Sequence, residues 1–469
     1  MNFQSFSFWG FFFVTVALAL LVGRKSRSGG KWVLCAASLF FCLQAGWQGL
    51  CVLVLSAAVT FFASRTLHHS KTTLTALVVY HALVLCGFKY IAFLTGGALR
   101  APFVPLGLSF FTFQQIRYCK EIYEGSVKRE ENFRDFILFS FFFPTLSSGP
   151  ITNARGFFPQ LQENTLFRPT ARDVSAALYA IILGCGKKVL LADSFGVIVN
   201  NGFANPGRLT SIEAAMVILA YTLQLYFDFS GYCDMATGLA RLFGIRLPVN
   251  FNSPYRAISV GDFWKRWHMT LTDFLRECVY FPLGGSRCGA ERAYLNILII
   301  YLVSGIWHGA GWTFIFWGLL HGAAQVMERF LGKGIQKLPV WLRWALTFAF
   351  VNFAWVFFRA PDMATAAAVF KGLFSFEFVK PMPWLAEGLF SSELEVIRIL
   401  FPVLAPHRTI LAVGALFAAG IAAILHPRNV IATMDSFRPT LWRGVLLAAI
   451  ALWSALSFAG ITSFIYANF

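Results

Sequence analysis

Long apolar runs separated by short polar segments recur from one end of the chain to the other. They fall near residues 8–23, 33–63, 73–97, 136–151, 177–200, 211–227, 294–327, 344–358, 410–425 and 443–460. A helix needs about 20 mostly apolar residues to cross a bilayer. Several runs have that length and others suit a helical hairpin. The pattern therefore predicts an all-α, polytopic integral membrane protein with about 10–12 transmembrane or re-entrant helices. No internal repeat or low-complexity linker interrupts it, so a single integral domain over 1–469 is expected.

Three segments depart from the pattern. Residues 117–135 are of mixed charge and read as a cytoplasmic loop or surface helix. Residues 228–292 are too polar to span lipid and too aromatic for a free loop, which suits interfacial or re-entrant structure around a cavity. Residues 376–407, with Pro381, Pro383, Glu393 and Glu395, read as a loop or short surface helix.

Composition agrees with a membrane solvent. Hydrophobic residues make up 57% of the chain, charged residues 13%, and the mean hydropathy is +0.64. The net charge of +17 lies mostly between apolar runs, as in RKSRSGGK (24–31) and at Arg65, Lys71, Lys187, Lys188, Arg428, Arg438 and Arg443. That is the positive-inside pattern, and no basic block with interleaved aromatics suggests nucleic-acid binding. Met1–Phe8 and Ala459–Phe469 carry no charged side chain, so both termini are expected outside the cytoplasm. The first run lacks a basic lead and a small-residue cleavage site, and reads as a first membrane helix rather than a cleaved signal. The nine cysteines are scattered singly and suggest neither a disulfide framework nor a metal site.

Candidate chemistry centres on VSGIWHGAGW (303–312), inside a stretch from Ala293 to Met327 without Lys, Arg, Asp or Glu. Gly305, Gly309 and Gly311 would leave the backbone around His308 open to close approach, with Trp307 and Trp312 walling the space. An ionisable residue within a membrane segment faces a cavity or a partner, and a neutral imidazole with an available nitrogen is a general base near neutral pH. His268, in FWKRWHMTL (263–271), could orient His308 or meet the same substrate. Each also has a packing explanation, as do His81 and His321. His68, His69, His407 and His426 lie beside basic residues, where solvation suffices. Asp228 and Asp234, six apart, do not share a helix face and are not an obvious acid/base pair. They cap helices or pair with basic residues, or they contact substrate. No acidic residue or cysteine at ligand spacing favours metal binding by the histidines.

The stretch YTLQLYFDFSGYCDMATGLARLFG (221–244) resembles the signature of the membrane-bound O-acyltransferases. Within that family it is similar to the branch of alginate O-acetyltransferases and D-alanyl transfer proteins. PVNFNSPY (248–255), FWKRWHMTL (263–271), LRECVYFPLGG (275–285) and GIWHGAGW (305–312) continue the match. PLGLSFFTFQ (105–114), SGPI (148–151) and WVFFRA (355–360) flank it, so that the likeness covers most of 105–360. The branch usually has Asp where this chain has Glu277, and an aromatic where it has Cys278. The resemblance implies that His308 is the essential histidine and His268 its partner. It further implies a tunnel through the membrane with 228–290 at the cytoplasmic mouth. On that reading Trp307, Trp267, Tyr226, Asp228, Ser230, Tyr232 and Arg276 line the donor path.

The ending FIYANF (464–469) is similar to the F-x-Y-x-x-F endings of this branch, where the tyrosine is an acyl carrier. Tyr466 also fits an interfacial aromatic belt. A thiol has a pKa of about 8.5 and a phenol about 10, so an acyl group can pass from thioester to tyrosyl ester to an alcohol without a steep uphill step. The resemblance thus implies an O-acyltransferase, with acetyl-CoA as the simplest donor substrate and no bound cofactor. The acceptor would be a cell-envelope or secreted polysaccharide outside a bacterial inner membrane, reached through an extracytoplasmic partner of the SGNH-hydrolase type. D-alanyl transfer to teichoic acid from a carrier protein, and a non-enzymatic transporter, are the alternatives. A transporter should show inverted repeats, and none is visible.

Overall fold

The structure is a computed structural model that describes residues 3–379, 381, 383–400, 402–460, 464 and 465. Among these the ordered elements are helices, with no strand. Seven are long and apolar enough to cross a membrane: Phe6–Lys25, Trp47–Thr66, Lys71–Leu94, Ala171–Ala204, Ser211–Leu242, Val340–Arg359 and Arg408–Leu425. Large apolar side chains such as Leu21, Leu55, Leu83 and Leu346 are exposed on these helices. In water such a surface would drive association; facing lipid it is satisfied.

The helix Ser211–Leu242 is the axis of the protein. A capping box starts it, with Thr210 and Glu213 each satisfying the other's backbone N–H. At 1.5 Å per residue its 32 residues extend about 48 Å, well beyond the ~30 Å hydrocarbon core. It ends at Gly244, whose φ of +86° suits glycine. There Ile245 N–H donates to the Ala240 carbonyl and Gly244 N–H to that of Arg241, which satisfies the last turn. Around this axis pack Ala171–Gly186, Asp193–Ala204, Val340–Arg359 and Met363–Leu373.

Most of its length is buried, including Asp228 and Asp234. This corrects the boundary expected for the polar region, which begins near 243 rather than 228. The aspartates do not make the segment interfacial, because their charges are met inside the protein. Asp234 lies 2.6 Å from Lys187 and Asp228 2.8 Å from Lys188, which also reaches Asp193 at 2.7 Å. The two lysines are not loop charges either: they sit in a π-helical turn, Lys187–Ala192, within the span Ala171–Ala204. Lys31, expected in a basic loop, is buried and paired with Asp135 at 2.7 Å. Residues 243–289 then form short pieces, among them Val260–Trp264 and Met269–Leu275, whose aromatic side chains are largely buried. Likewise 117–123 is the end of the buried helix Leu108–Tyr123, with Arg117 and Glu121 turned inward.

Ala290–His308 and Trp312–Leu331 form an antiparallel hairpin joined by residues 309–311. The glycines have a different role from the one expected. A Cβ on Gly305 would stand 2.4 Å from the Phe314 carbonyl oxygen, one on Gly318 2.4 Å from that of Tyr301, and one on Gly309 2.2 Å from the Phe314 ring. Gly305 and Gly309 are therefore packed against the second helix and not left open for substrate. Gly318→Leu should overpack this contact and cost about 1–3 kcal/mol or more, read as a lower unfolding temperature in detergent. Gly414→Ala, with no atom within 4 Å, should be neutral or gain about 0.5–1 kcal/mol. Equal stability of the two variants would refute the packing role.

Candidate active site

His308 is the last residue of its helix and is buried. Its Nδ1 lies 2.6 Å from the Ser304 carbonyl oxygen, one turn back. A carbonyl only accepts, so Nδ1 carries the proton and the Nε2 lone pair is the basic one. The carbonyls that end this helix are held from the side. Lys89 Nζ donates to the Trp307 oxygen at 2.6 Å and Tyr90 OH to the Ile306 oxygen at 2.7 Å. A cation at a helix C-terminus opposes the negative end of its dipole.

Trp307 packs against both histidines. Its ring lies 4.8 Å from His308 and 6.0 Å from His268, centre to centre, and its Nε1–H donates to the Ser109 carbonyl at 3.3 Å. Phe113 stacks on it at 5.2 Å and Phe110 meets it edge-on at 5.2 Å. His268 has a φ of +45°, a left-handed conformation that a non-glycine residue holds only when its surroundings over-determine it. Asn250 supplies much of that restraint. Its Oδ1 faces His268 Nδ1 at 3.1 Å and accepts from Thr270 N and Oγ1, while its carbonyl accepts from Met269 N. Phe229 of the central helix lies 4.8 Å from the His268 ring, and the two histidines are within electrostatic reach of each other.

The remaining expected residues separate. Trp267 and Tyr226 are buried in an aromatic cluster with Phe251 and Tyr255. Tyr232 hydrogen-bonds Ser147 and the Pro144 carbonyl, and Ser230 is buried nearby on the same helix. Arg276 is exposed and pairs with Asp273, so the structure does not bring it to the histidines. Trp312 is 70% exposed against Phe93 and does not wall His308; Trp317 and Phe358 do, at 4.9 and 5.2 Å. Tyr466 lies outside the described residues. The chain just before it enters the interior, where Phe464 packs on Tyr232 and under Lys188 Nζ, and Ile465 N–H donates to Asp228 at 2.9 Å.

Three partners went unread in the sequence. Lys89 is a charge inside an apolar run, the usual signal of function in a membrane segment. Asn250 lies within PVNFNSPY, but nothing there announces its bond to His268. The seating of Phe464 is invisible to periodicity. At the far end of Leu108–Tyr123 a polar cavity of about 480 Å3 is lined by Arg117, Lys120, Glu121, Arg155 and Glu277, among others. Burial raises the Glu121 carboxyl above its usual range, opposed by the Arg117 guanidinium and the Ala154 N–H. From Phe113, on Trp307, to Lys120, at this cavity, is about 10 Å along the helix.

This frame is that of a multi-pass helical membrane protein. Residues 126–361 match the MBOAT, membrane-bound O-acyltransferase family, and the chain belongs to that family; it is an O-acyltransferase. It is 38% identical over 386 residues to a peptidoglycan O-acetyltransferase of Helicobacter pylori, covering 73% of each chain. It is 34% identical over 420 residues to a probable alginate O-acetylase AlgI of Azotobacter vinelandii, covering 84% of this chain and 81% of that one. A teichoic acid D-alanyltransferase of Bacillus subtilis is 30% identical over 273 residues, 54% of this chain and 68% of the relative.

The buried ions at the base of the site have a measurable weight. Lys188→Met would leave Asp228 and Asp193 without their cation, a loss of about 3–5 kcal/mol for breaking a buried pair. Asp228→Asn keeps the Lys188–Asp193 contact and should cost less. Thermal unfolding in micelles orders the two, and the reverse order would refute the arrangement.

Proposed function

We propose that this protein transfers acetyl groups from cytoplasmic acetyl-CoA across the bacterial inner membrane, for O-acetylation of a cell-envelope or secreted polysaccharide. The observation that carries the reading is the buried pair of histidines against Trp307, with the His308 proton on Nδ1 and its basic lone pair on Nε2. His308 is the catalytic base and His268 its partner. The aromatic and polar residues around them, Trp307, Trp267, Tyr226, Asp228, Ser230 and Tyr232, line or support a tunnel within one integral domain. The cavity beside Arg117 and Lys120 is its cytoplasmic mouth. Its basic groups suit the donor's phosphates, and the helix from there to Phe113 parallels the pantetheine arm. The basic segment 24–31 faces the cytoplasm and both termini face outward.

The chemistry is acyl transfer from a thioester to a hydroxyl. His308 Nε2 takes the proton of the attacking hydroxyl as its oxygen bonds the acyl carbon. The tetrahedral adduct collapses by breaking the C–S bond, and the imidazolium returns the proton to the departing thiolate. Tyr466 is the first acceptor; the residue before it, Ile465, donates its N–H to Asp228. An outward-facing SGNH-type partner then moves the acetyl group to the polymer. The relatives that act on peptidoglycan and alginate cover more of this chain than the D-alanyltransferase does, which favours acetyl over D-alanyl transfer.

Labelled acetyl-CoA given to the protein in nanodiscs tests this. The wild type should retain label, Tyr466→Phe should not, and His308→Ala should slow labelling by about 10²–10⁴-fold. Label lost only in His308→Ala would remove the tyrosine relay. Label from a D-alanyl carrier protein and none from acetyl-CoA would replace the donor.

A further inference from the structure

His321 lies on Trp312–Leu331, one turn beyond Trp317, and both are fully buried. Its surroundings dictate its tautomer. Trp264 Nε1 stands 3.2 Å from His321 Nδ1. An indole N–H can only donate, so Nδ1 accepts and the proton of a neutral His321 sits on Nε2. That Nε2–H has no hydrogen-bond partner among the described residues, nor has the Nε1–H of Trp317. Orphaned buried donors are costly, and here two occur on neighbouring side chains of one helix face.

Both belong to the wall of the histidine site. The Trp317 ring lies 4.9 Å from His308 and 5.0 Å from His321. The tautomers are opposite. His308 is protonated on Nδ1 and presents a lone pair at Nε2; His321 is protonated on Nε2 and presents a donor. A base and a neutral electrophile flanking one tryptophan suit a reaction in which a hydroxyl loses a proton while a carbonyl oxygen gains charge.

We infer that His321 Nε2–H and Trp317 Nε1–H donate to the acyl carbonyl oxygen, so that His321 is a second catalytic histidine, opposite in role to His308. The inference rests on the acyl-transfer reading. As the hydroxyl oxygen bonds the acyl carbon and its proton passes to His308, the carbonyl π pair moves onto oxygen, where these two donors meet it. The pair returns when the C–S bond breaks, and the thiolate takes the proton back from His308. His321 keeps its own proton throughout, so a donor that is not an acid suffices.

Labelling of the full-length protein by acetyl-CoA in nanodiscs provides the test, on His321→Phe, His321→Gln and Trp317→Phe, with the rate at saturating acetyl-CoA read as kcat and the half-saturating concentration as KM. Removing one such donor costs about 10²–10³ in kcat. His321→Phe should lose about that much with little change in KM for acetyl-CoA, and His321→Gln, which keeps an N–H, should recover part of it. A rise in KM with kcat unchanged, or full activity in His321→Phe, would overturn the assignment. Thermal unfolding shows whether His321→Phe folds; if it does not, His321→Gln and Trp317→Phe carry the comparison, and wild-type kcat in Trp317→Phe together with an inactive but folded His321→Gln would count against the donor role. Nitrogen-15 histidine NMR reads the tautomers without turnover. Signals assigned by their loss in His308→Ala and His321→Gln should show Nδ1–H for His308 and Nε2–H for His321. The same tautomer at both would refute the inference. Unchanged activity in His308→Ala would instead defeat the base role and leave the tautomer result standing.

Discussion

Lys188 carries its charge in the interior of a membrane protein, between Asp228 at 2.8 Å and Asp193 at 2.7 Å, and the rest of the architecture follows from keeping that charge paired. Taking ions out of water is repaid only by close, well-bonded partners. The pairing, with Lys187–Asp234 beside it, ties the span Ala171–Ala204 to the central helix at fixed register. Gly184 and Gly231 allow the contact, since a Cβ on either would stand 2.7 Å from the other's carbonyl oxygen. With register set, Phe229 meets His268, and Tyr232 forms the floor on which Phe464 rests.

Helix irregularity is the means by which polar groups reach this interior. Three π-helical turns occur among the described elements, at Cys86–Tyr90, Lys187–Ala192 and Arg276–Tyr280. The first presents Lys89 and Tyr90 to the end of the His308 helix, the second presents Lys187 and Lys188 to the central helix, and the third presents Glu277 to Arg117. Such turns admit one extra residue and favour functional sites. The left-handed backbone at His268 serves the same end in a non-helical segment. Irregular backbone at membrane depth survives only inside protein, and Asn250 with its neighbours makes that enclosure.

The class of protein was legible because apolar length is a physical requirement of the bilayer and is written in consecutive residues. His308 stood out for a related reason: a polar group in an apolar context needs an explanation local to itself; His268 stood out by its place in the interfacial FWKRWHMTL segment and by the family resemblance. The partners were not legible, although Asp228 and Asp234 were read as able to pair with basic residues. A sequence displays the charge of Lys187, Lys188 and Lys31 but not the aspartates 47, 40 and 104 positions further on that neutralise it, so they read as loop charges. Glycines around His308 looked like open space because glycine marks close approach of any kind, and here the approaching group is the hairpin's own second helix. Trp312 looked like lining by adjacency to His308, and the family resemblance put Arg276 on the donor path, although the helix end at 308 and the Arg276 turn point them elsewhere. His321 was visible only as a histidine in an apolar stretch with a packing explanation; its tautomer depends on Trp264, which lies 57 residues away.

The two sides of His308 answer different constraints. On one side a backbone carbonyl and Lys89 hold a helix terminus, an arrangement that costs little because the last carbonyls of any helix need donors. On the other side the aromatic packing of Trp317, His321 and Trp355 leaves indole and imidazole donors without acceptors among the described residues. A core selected only for stability would replace such side chains with apolar ones of similar shape, since an orphaned donor is the expensive half of a hydrogen bond. Their retention beside a base whose tautomer is set by the opposite side makes sense if the missing acceptor arrives with the substrate. The site is then polarised before any substrate enters, with a lone pair on His308 and donors on His321 and Trp317.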